Sequence, residues 1–449
     1  MRFVFFLTAF FLLACAFSCT KNKTVTPAAS LFTVTAITVN GVTSGTAYEY
    51  KNVSTTPIVK FSFSTPIKTA TASSFISLKE ETGTAVSFTT LFENNNSIVT
   101  IKPQSPLKAF SKYTIAISNG LTAENEGKLS YPVLITLHTG IDSTDKFPLI
   151  SDSALLDLVQ QQTFKYFWDF GHPVSGLARE RNTSADVVTS GGSGFGIMSL
   201  IVGVHRQFIT RMDGLERMQK IVSFLKTKAQ KFHGAFPHWL NGSTGAVVPF
   251  SAKDNGADLV ETSYLMQGLL TARQYFDKGD AGESTLRNDI NELWNEVEWS
   301  WFRKGGENVL YWHWSPDQQW AMNMPVKGWN EALITYVLAA ASTNYSIPKS
   351  VYDAGWAANG AMKNGNNYYG HNLQLGPPSG GPLFFAHYSF LGINPTGLSD
   401  AYADYFMQNK AHTLINQAYC IANPKGFAGY SDACWGLTAS DDNKVGYMA

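Results

Sequence analysis

The stretch that decides the fold of most of the chain is Asn255–Leu270, "NGADLVETSYLMQGLL". From Leu259 onward its apolar residues recur at helical spacing, which indicates a helix that enters a core. Asp258 and Glu261 stand at the beginning of this helix, three residues apart. Side chains at this spacing share one helix face, with Cβ atoms about 5–6 Å from each other. Two carboxylates so close are either a helix-start signal or part of a catalytic site.

Helical periodicity extends through the whole region from residue 150 to residue 449. It begins at "SALLDLVQQQTFKYFWDF", where Ser151 or Ser153 can cap a helix. Long loops rich in Gly, His, Trp and Asn separate the helices, and long irregular loops in a compact domain are usually functional. This pattern predicts an all-α toroid, a ring of paired helices. Further helices are predicted at about 194–209, 213–231, 257–277, 281–300, 329–342 and 400–418.

Residues 31–140 have a different sequence pattern, in which short β-rich runs are separated by turn signals such as Asn40-Gly41 and Asn119-Gly120. Seven or so short strands at this spacing predict a β-sandwich. The segment resembles bacterial Ig-like domains, whose role is usually spacing or weak binding, and it carries no catalytic constellation. The segment "GIDSTDKFPLI" (Gly140–Ile150) is the predicted domain boundary.

Residues 1–19, "MRFVFFLTAFFLLACAFSC", are typical of an export signal, with Arg2 before the apolar run Phe3–Phe17. That run is too short to span a membrane as a helix. The ending "AFSC" resembles a bacterial lipobox, so we expect Cys19 to be lipidated. Cys15 and an ordinary secretory signal are the alternatives. Residues 20–30 then form a flexible tether, and we expect an outer-membrane-anchored protein of the cell envelope, on the periplasmic side.

Charge and composition exclude some functions. Lys+Arg and Asp+Glu both number 34, so the formal net charge is zero, and nothing suggests a nucleic-acid partner. The chain is rich in aromatic residues, with 11 Trp, 19 Tyr and 30 Phe, which suit either a large core or sugar rings. The remaining cysteines, Cys420 and Cys434, either pair in an exported chain or stay as free thiols.

The unusual polar residues lie in loops and at helix starts. Histidines are scattered without HExxH or CxxC spacing, so we expect no metal and no cofactor. The chain has no GxSxG elbow, which disfavours a serine hydrolase. What remains is a set of acids among aromatic, His, Asn and Gln residues, the material of a carbohydrate site. Glycoside hydrolysis needs one carboxylic acid to protonate the leaving oxygen and a second carboxylate to activate water or to attack.

Each of these acids also has a purely structural interpretation. Asp258 and Glu331 stand where an acid in the first turn stabilises a helix through its dipole. Glu261 could instead pair with an Arg or Lys side chain.

The helical region resembles glycoside hydrolase family 144, the bacterial β-1,2-glucanases of the glycoamylase-like superfamily. The resembling stretches are "QQQTFKYFWDF", "TSGGSGFGIMSLIVGVHRQFITR", "GADLVETSYLMQGLLTARQYF", "KGWNEALITYVLAAAS", "GPLFFAHYSFLG" and "NPKGFAGYSDACWGLTASD". The resemblance implies an (α/α)6 toroid and inverting hydrolysis of linear β-1,2-glucan to sophorose or short sophoro-oligosaccharides. It also implies three acids in the cleft, which by motif are Asp258, Glu261 and Glu331.

The toroid implied by this resemblance would place these acids at the N-termini of inner helices, which favour ionised carboxylates. An inverting pair needs about 6.5–9.5 Å between its carboxyl groups, so Asp258 and Glu261 are too close to be that pair. Glu331 is therefore the expected general acid, while Asp258 or Glu261 orients a sugar hydroxyl or the water. The expected substrate-binding residues are Arg179, Asp186, His238, Trp239, Trp312, Trp314, His387, Tyr388 and Trp435.

The sequence departs from the family in one respect, since it holds fewer helical segments than six helix pairs require. We therefore expect the C-terminal part of the toroid to be missing. Endo- and exo-acting cleavage are both open. Three other interpretations also stay open: a glycosidase of the same fold acting on another glucan linkage, a glycan-binding lipoprotein without turnover, and an adhesive Ig-like lipoprotein.

Overall fold

The structure is a computed structural model that describes residues 31–43, 47–442 and 446–448. The expected signal segment, Cys19 and the tether lie outside the described residues. The described chain divides into two compact units. The first contains the residues up to Ser143 together with Gly426–Gly429, and the second contains Thr144–Lys425 and the residues from Tyr430 onward. Among the described helices, none is long and apolar enough to cross a membrane.

The first unit is a β-sandwich with one short helix, α1 (Thr69–Ala72). One four-stranded sheet has the order β2-β4-β7-β6 and is antiparallel throughout. The other has the order β3-β10-β8-β5, in which β10 and β3 are parallel. The strands are β1 (Leu31–Phe32), β2 (Val34–Val39), β3 (Glu49–Val53), β4 (Val59–Phe63), β5 (Ile76–Glu80), β6 (Phe88–Glu93), β7 (Ile98–Pro103), β8 (Lys112–Ile117), β9 (Lys128–Leu129) and β10 (Val133–Thr139).

Alternation of apolar and polar residues explains this sandwich. In β4 and β8, every second side chain is buried, as in Val59, Phe61, Ile115 and Ile117. Side chains on a strand point to opposite faces in turn, so this pattern places one face of each sheet in a shared core. The predicted β-sandwich is therefore confirmed. The predicted β-rich runs did not include β3 and β5, because the sequences of these strands, "EYKNV" and "ISLKE", are rich in polar residues.

The second unit is mainly helical, and each of the seven predicted helices is present. Five of these helices have an N-cap residue whose side chain accepts a hydrogen bond from the backbone N–H of the residue three positions later. These N-cap residues are Ser151, Thr210, Asp258, Asp280 and Asp404. The helices are α2 (Asp152–Asp169), α3 (Ser190–His205), α4 (Arg211–Thr227), α5 (Leu259–Tyr275), α6 (Ala281–Glu296), α7 (Leu333–Ala341), α8 (Lys349–Val351) and α9 (Tyr405–Ala422).

Buried and amphipathic helices alternate along this unit. Helices α3, α5 and α7 are apolar on most sides and pack against one another in the order α3, α5, α7. Helices α4 and α6 pack on each other and on this buried row, with polar residues facing outward. The paired pattern follows the sequence, because a helix apolar all round needs neighbours on every side.

Two glycines let α3 and α5 approach closely. A side chain at Gly194 would overlap the backbone carbonyl of Tyr264, and one at Gly268 would overlap the carbonyl of Gly194. At both positions the two helices leave room only for the hydrogen atom of glycine. The contact brings the N-terminal ends of α3 and α5 together, which positions the site.

Five short strands frame these helix starts. The first three form one sheet, in the order β11-β12-β13, and β14 pairs antiparallel with β15, which places His313 directly opposite Asp258. The strands are β11 (Val187–Thr189), β12 (Trp239–Asn241), β13 (Val247–Val248), β14 (Ala257–Asp258) and β15 (His313–Trp314).

Two local expectations need correction. Glu331 is not in the first turn of a helix, because α7 begins at Leu333 and its N-cap residue is Ala332. Asp258 and Glu261 do not share a helix face, because Asp258 is the extended N-cap residue of α5 and its side chain turns back towards the helix backbone. The two remaining cysteines are free thiols, with Cys420 buried in α9 and Cys434 exposed.

Candidate active site

Asp258 is a fully buried carboxylate at the start of α5. Its Oδ1 atom accepts a hydrogen bond from the backbone N–H of Glu261 at 2.9 Å. Its Oδ2 atom lies 3.0 Å from Nδ1 of His238 and 3.5 Å from Nε2 of His313. The Nε2 atom of His313 also lies 3.3 Å from Oδ2 of Asp254, which is itself buried. Two acids and two imidazoles thus form one network, here named the Asp258 network.

Pairing outweighs burial in this network. Burial alone would raise the pKa of Asp258, but its contacts with His238 and His313 lower that pKa below the ordinary value. Burial alone would lower the pKa of each histidine, but the facing carboxylates raise the pKa of His238 to about 9 and that of His313 to about 10. Asp258 is therefore an anion between two imidazolium groups at neutral pH.

Glu261 lies in the first turn of α5 and reaches the N-terminus of α3. Its Oε2 atom accepts a hydrogen bond from the backbone N–H of Gly191 at 3.1 Å. Burial raises the pKa of Glu261 to about 7; the His238 charge opposes this rise and the Asp258 charge adds to it. The expectation that a helix N-terminus keeps this carboxylate ionised therefore fails at acidic pH, because the cost of desolvation exceeds the effect of one N–H bond.

Glu331 belongs to the turn that precedes α7, and its backbone is held from two sides. The Tyr264 hydroxyl donates to the Glu331 carbonyl oxygen at 3.2 Å, and the Ser389 hydroxyl donates to the same oxygen. The Glu331 side chain is half-buried. Burial raises the pKa of this carboxyl, and the negative charge of Asp258 raises it further. The turn thus presents a carboxylic acid that retains its proton to higher pH than a free Glu.

Tyrosine side chains link Glu261 and Glu331. Tyr264 is buried, and burial together with the charges of both glutamates raises the pKa of its phenol. Tyr388 packs edge-on against Tyr264 at 5.6 Å, and burial and the same two charges raise its pKa as well. Asp258, Glu261, Glu331 and Tyr388 therefore lie close enough for their charges to influence one another, while Asp258 itself is closed to solvent.

Other predicted residues border this cluster. His238 belongs to the Asp258 network and packs edge-on against Trp239 at 5.9 Å. Phe250 covers both, at 4.6 Å from His238 and 4.7 Å from Trp239. Trp312 stacks on His313 at 5.9 Å. Trp239 and Trp312 are both half-buried, so each keeps some ring surface open.

Trp314 lies next to the site in sequence but packs elsewhere. Its ring contacts Trp301 and His233, each at 5.4 Å, in a separate aromatic cluster. Strand alternation explains this, because Trp314 and His313 point to opposite sides of β15.

Arg179 and Asp186 hold a loop together and are not in the acid cluster. The Arg179 guanidinium donates to the carbonyls of Ala185 and Phe170, at 2.8 and 3.3 Å. Asp186 pairs with the buried His172 at 3.0 Å. His387 is exposed beside Tyr388, and Trp435 is 41% exposed, so both present their rings to solvent.

Comparison with known proteins identifies the family of the chain. The family described as "Putative glucoamylase" (Glycoamylase) matches residues 323–449, and the bacterial Ig-like domain family matches residues 32–137. An endo-β-1,2-glucanase of Chitinophaga pinensis, solved with sophorotriose and glucose, is 54% identical with a TM-score of 0.65. That match covers 67% of this chain and 74% of the Chitinophaga chain. The chain belongs to the glycoamylase-like family.

Two further relatives come from Parabacteroides distasonis. The structure of a β-1,2-glucanase is 36% identical with a TM-score of 0.65, over 93% of this chain and 58% of that chain. An exo β-1,2-glucooligosaccharide sophorohydrolase (non-reducing end) is 49% identical over 319 residues, which are 67% of this chain and 44% of the relative. The chain therefore spans less than half of the length of that curated relative.

Sequence reasoning missed several residues of this glycoamylase-like site. Asp254 and His313 complete the Asp258 network, and Gly191 binds Glu261. Both His313 and Gly191 lie in unusual motifs, "YWHWSPDQQW" and "TSGGSGFGIM". Their partners are 55 and 70 residues away in the chain, as the pairs His313–Asp258 and Gly191–Glu261 show, so spacing offered no signal.

One set of side chains has the composition of a metal site. His238, Asp254 and Asp258 each place one ligand atom within 4.8 Å of the others. In the structure, the ring nitrogens of His238 and His313 face these carboxylates at hydrogen-bond and ion-pair distances. We therefore interpret the set as an ion-pair network.

Proposed function

We propose that this chain is a glycoside hydrolase that cleaves linear β-1,2-glucan to sophorose or short sophoro-oligosaccharides. The observation that carries the proposal is the pair Glu261 and Glu331, two half-buried carboxyl groups with raised pKa. Glu261 lies in the first turn of α5, and Glu331 lies in the turn that precedes α7. Hydrolysis of a glycosidic bond requires a carboxylic acid that is still protonated near neutral pH, together with a second carboxylate. The names of the relatives support the β-1,2 linkage.

Glu331 acts as the general acid in this proposal. Its raised pKa keeps the proton available, and the hydrogen bonds of Tyr264 and Ser389 hold its backbone still. The proton passes from the Glu331 carboxyl to the leaving glycosidic oxygen as the bond to the anomeric carbon breaks. General acid catalysis of this kind contributes about 10²- to 10⁴-fold to the rate.

Glu261 receives the hydrogen bond of a sugar hydroxyl or of the attacking water when it is ionised. Asp258 is closed to solvent, so we assign it as a positioning residue that acts through Glu261 and His238. Water attacks the anomeric carbon from the side opposite the leaving oxygen, which inverts the configuration, and the proton that the water loses passes to the ionised Glu261 carboxylate, directly or through the sugar hydroxyl.

The (α/α)6 toroid and the sugar-binding surface belong to the same proposal. The alternating buried and amphipathic helices α2 to α7 support three of the helix pairs of such a ring. Trp239, Trp312 and Tyr388 border the acids with partly open rings and are suited to stacking on glucose.

Product release from linear β-1,2-glucan tests the function. Wild type and Glu331→Gln are compared, with Glu216→Gln as a control because Glu216 is an exposed residue of α4. We expect short sophoro-oligosaccharides from wild type and from the control, and a loss of about 10²- to 10⁴-fold in the Glu331 variant. Equal activity of all three proteins would remove Glu331 from its role. Products only from a β-1,3- or α-linked glucan would support the rival linkage, and binding without products would support a glycan-binding lipoprotein.

We also propose that Cys19 carries a lipid that anchors the protein at the cell envelope, on the periplasmic side of the outer membrane. The support is the apolar run followed by "AFSC". Labelling of cells with an alkyne fatty acid tests this. Cys19→Ser should abolish the label and Cys15→Ser should retain it; the opposite result would assign the anchor to Cys15.

A further inference from the structure

We propose that Glu180 binds hydroxyl groups of the glucan beside Trp239, and that the two side chains form a sugar subsite next to the acids. This inference rests on the proposed function. The subsite would take a glucose unit, with its ring on the indole face and a hydroxyl pair on the carboxylate.

The Glu180 carboxylate is held in place by two donors. Its Oε2 atom accepts a hydrogen bond from the indole Nε1 of Trp239 at 3.1 Å, and its Oε1 atom accepts one from Nη1 of Arg181 at 2.8 Å. Arg181 is shared, because its guanidinium also donates to both carboxylate oxygens of Asp441, at 2.7 and 3.1 Å. Each carboxylate oxygen accepts about two hydrogen bonds, so Glu180 retains capacity on both oxygens.

Strand pairing places Glu180 beside the catalytic acids. Its backbone N–H donates to the carbonyl of Val187 on β11 at 3.2 Å, and β11 leads directly into Gly191, which binds Glu261. On the other side of β11 lies β12, which begins with Trp239. The residue before it, His238, is bonded to Asp258. Glu180 and Trp239 thus lie at the sheet β11-β12-β13, and the residues next to its strands, His238 and Gly191, contact Asp258 and Glu261.

Exposure and chemistry agree with sugar binding. The Glu180 side chain is 22% exposed and the Trp239 ring is half-buried, so both are ordered and still reachable. A carboxylate beside an aromatic face provides acceptors for hydroxyl donors and a flat surface for ring C–H groups. The Nε1 hydrogen bond fixes the tilt of the indole relative to the carboxylate, which would match the two to one sugar unit.

A double-mutant cycle separates direct binding from support of the indole. Glu180→Ala, Trp239→Phe and the double variant are compared with wild type for KM and kcat on sophoro-oligosaccharides. Trp239→Phe removes the N–H donor and keeps a smaller aromatic face, so the Glu180→Ala effect is read within each background. Glu216→Gln serves again as the control. We expect Glu180→Ala to raise KM about 10- to 100-fold with little change in kcat, because hydrogen bonds to a charged group contribute about 1.5–3 kcal/mol.

The same increase in KM in the Trp239→Phe background would support direct contact with the sugar. Loss of the Glu180 effect in that background would overturn the proposal, because Glu180 would then act only by holding the indole. Binding of sophorotetraose to the Glu331→Gln protein, measured by calorimetry, provides a readout without turnover. Unchanged binding in Glu180→Ala, when the parent binds, would overturn the subsite alone. If the parent does not bind and the wild type releases no product, the proposed function fails as well.

Discussion

The Oδ1 atom of Asp258 accepts the backbone N–H of Glu261 at 2.9 Å, while its Oδ2 atom faces two imidazoles. One carboxylate therefore caps α5 and anchors a buried charge network. Two acids three residues apart can coexist here because their carboxyl groups face different partners. Asp258 remains ionised and buried, and Glu261 is directed to the start of α3.

Asp258→Asn tests how much the Asp258 network contributes to the free energy of unfolding. Asn still caps a helix, so the change removes the charge and keeps the cap. Loss of one partner from a buried ion pair costs about 3–5 kcal/mol, because the remaining charges stay uncompensated. We expect a loss of this size at pH 6, measured by urea unfolding with Trp fluorescence. All 11 Trp residues belong to the second unit, so the signal reports that unit alone.

The control for this variant is Asp289→Asn. Asp289 pairs with Lys226 at 2.5 Å on the surface, with side chains 30% and 25% exposed. Exposed pairs contribute about 0–1 kcal/mol, so the control should lose far less than Asp258→Asn. Equal losses would show that the buried network has no special weight.

The same network predicts that stability falls with rising pH. The folded pKa values of His238 and His313, about 9 and 10, lie above the ordinary value of 6.5. Their contribution is therefore complete below pH 6.5 and is lost as the pH rises to 10. Glu261 also lowers the free energy of unfolding as the pH rises from 4.5 to about 7, because its folded pKa is raised. The free energy of unfolding should decline from pH 6.5 to pH 10, with a smaller slope in Asp258→Asn. A stability that rises with pH in this range would contradict the charge assignment.

Gly191→Ala tests the contact between α3 and Glu261. A Cβ atom at this position would overlap Oε2 of Glu261 and lie 2.8 Å from its Cδ atom. The carboxylate must then move, and a displacement of about 1 Å costs about 10²-fold in rate. We expect kcat to fall by about this factor. Gly279→Ala is the control, because nothing lies within 4 Å of its Cβ position. Unaltered activity in Gly191→Ala would show that the Glu261 position does not matter.

Glu261 also predicts the acid limb of the pH–rate profile. With a pKa of about 7, its ionised form is lost as the pH falls, so kcat/KM for the glucan should decrease below about pH 7. His238→Gln removes a positive charge that lowers the pKa of Glu261, so the limb should move to higher pH. A profile whose acid limb stays in place in this variant would exclude Glu261 as its origin.

Removal of residues 31–140 separates a hydrolase from an adhesin. The sandwich and the helical unit each have their own hydrophobic core, so the helical unit should retain its fold. We expect unchanged kcat/KM on soluble β-1,2-glucan, measured by product release, because Asp258, Glu261 and Glu331 all lie in the second unit. Loss of adhesion together with absence of hydrolysis in the full chain would instead favour the adhesive lipoprotein.

Much of the fold was predictable from local pattern. Period-two runs predicted the strands β4 and β8, and period-3.6 runs with capping residues predicted helices such as α2 and α5. Glu331 shows where the local pattern was insufficient, because its turn is held by Tyr264 and Ser389 from distant parts of the chain.

The sequence by itself determined the two kinds of domain, the acid at the start of α5 and the family, because periodicity, caps and motifs are local. Only the tertiary structure decided which ionisable groups lie close enough to pair and to shift one another's pKa. His313 reaches Asp254 and Asp258 where β15 pairs with β14, and Gly191 reaches Glu261 where Gly194 and Gly268 let α3 and α5 touch. The raised pKa of Glu261 and the lowered pKa of Asp258 follow from burial and pairing, which exist only in the folded chain.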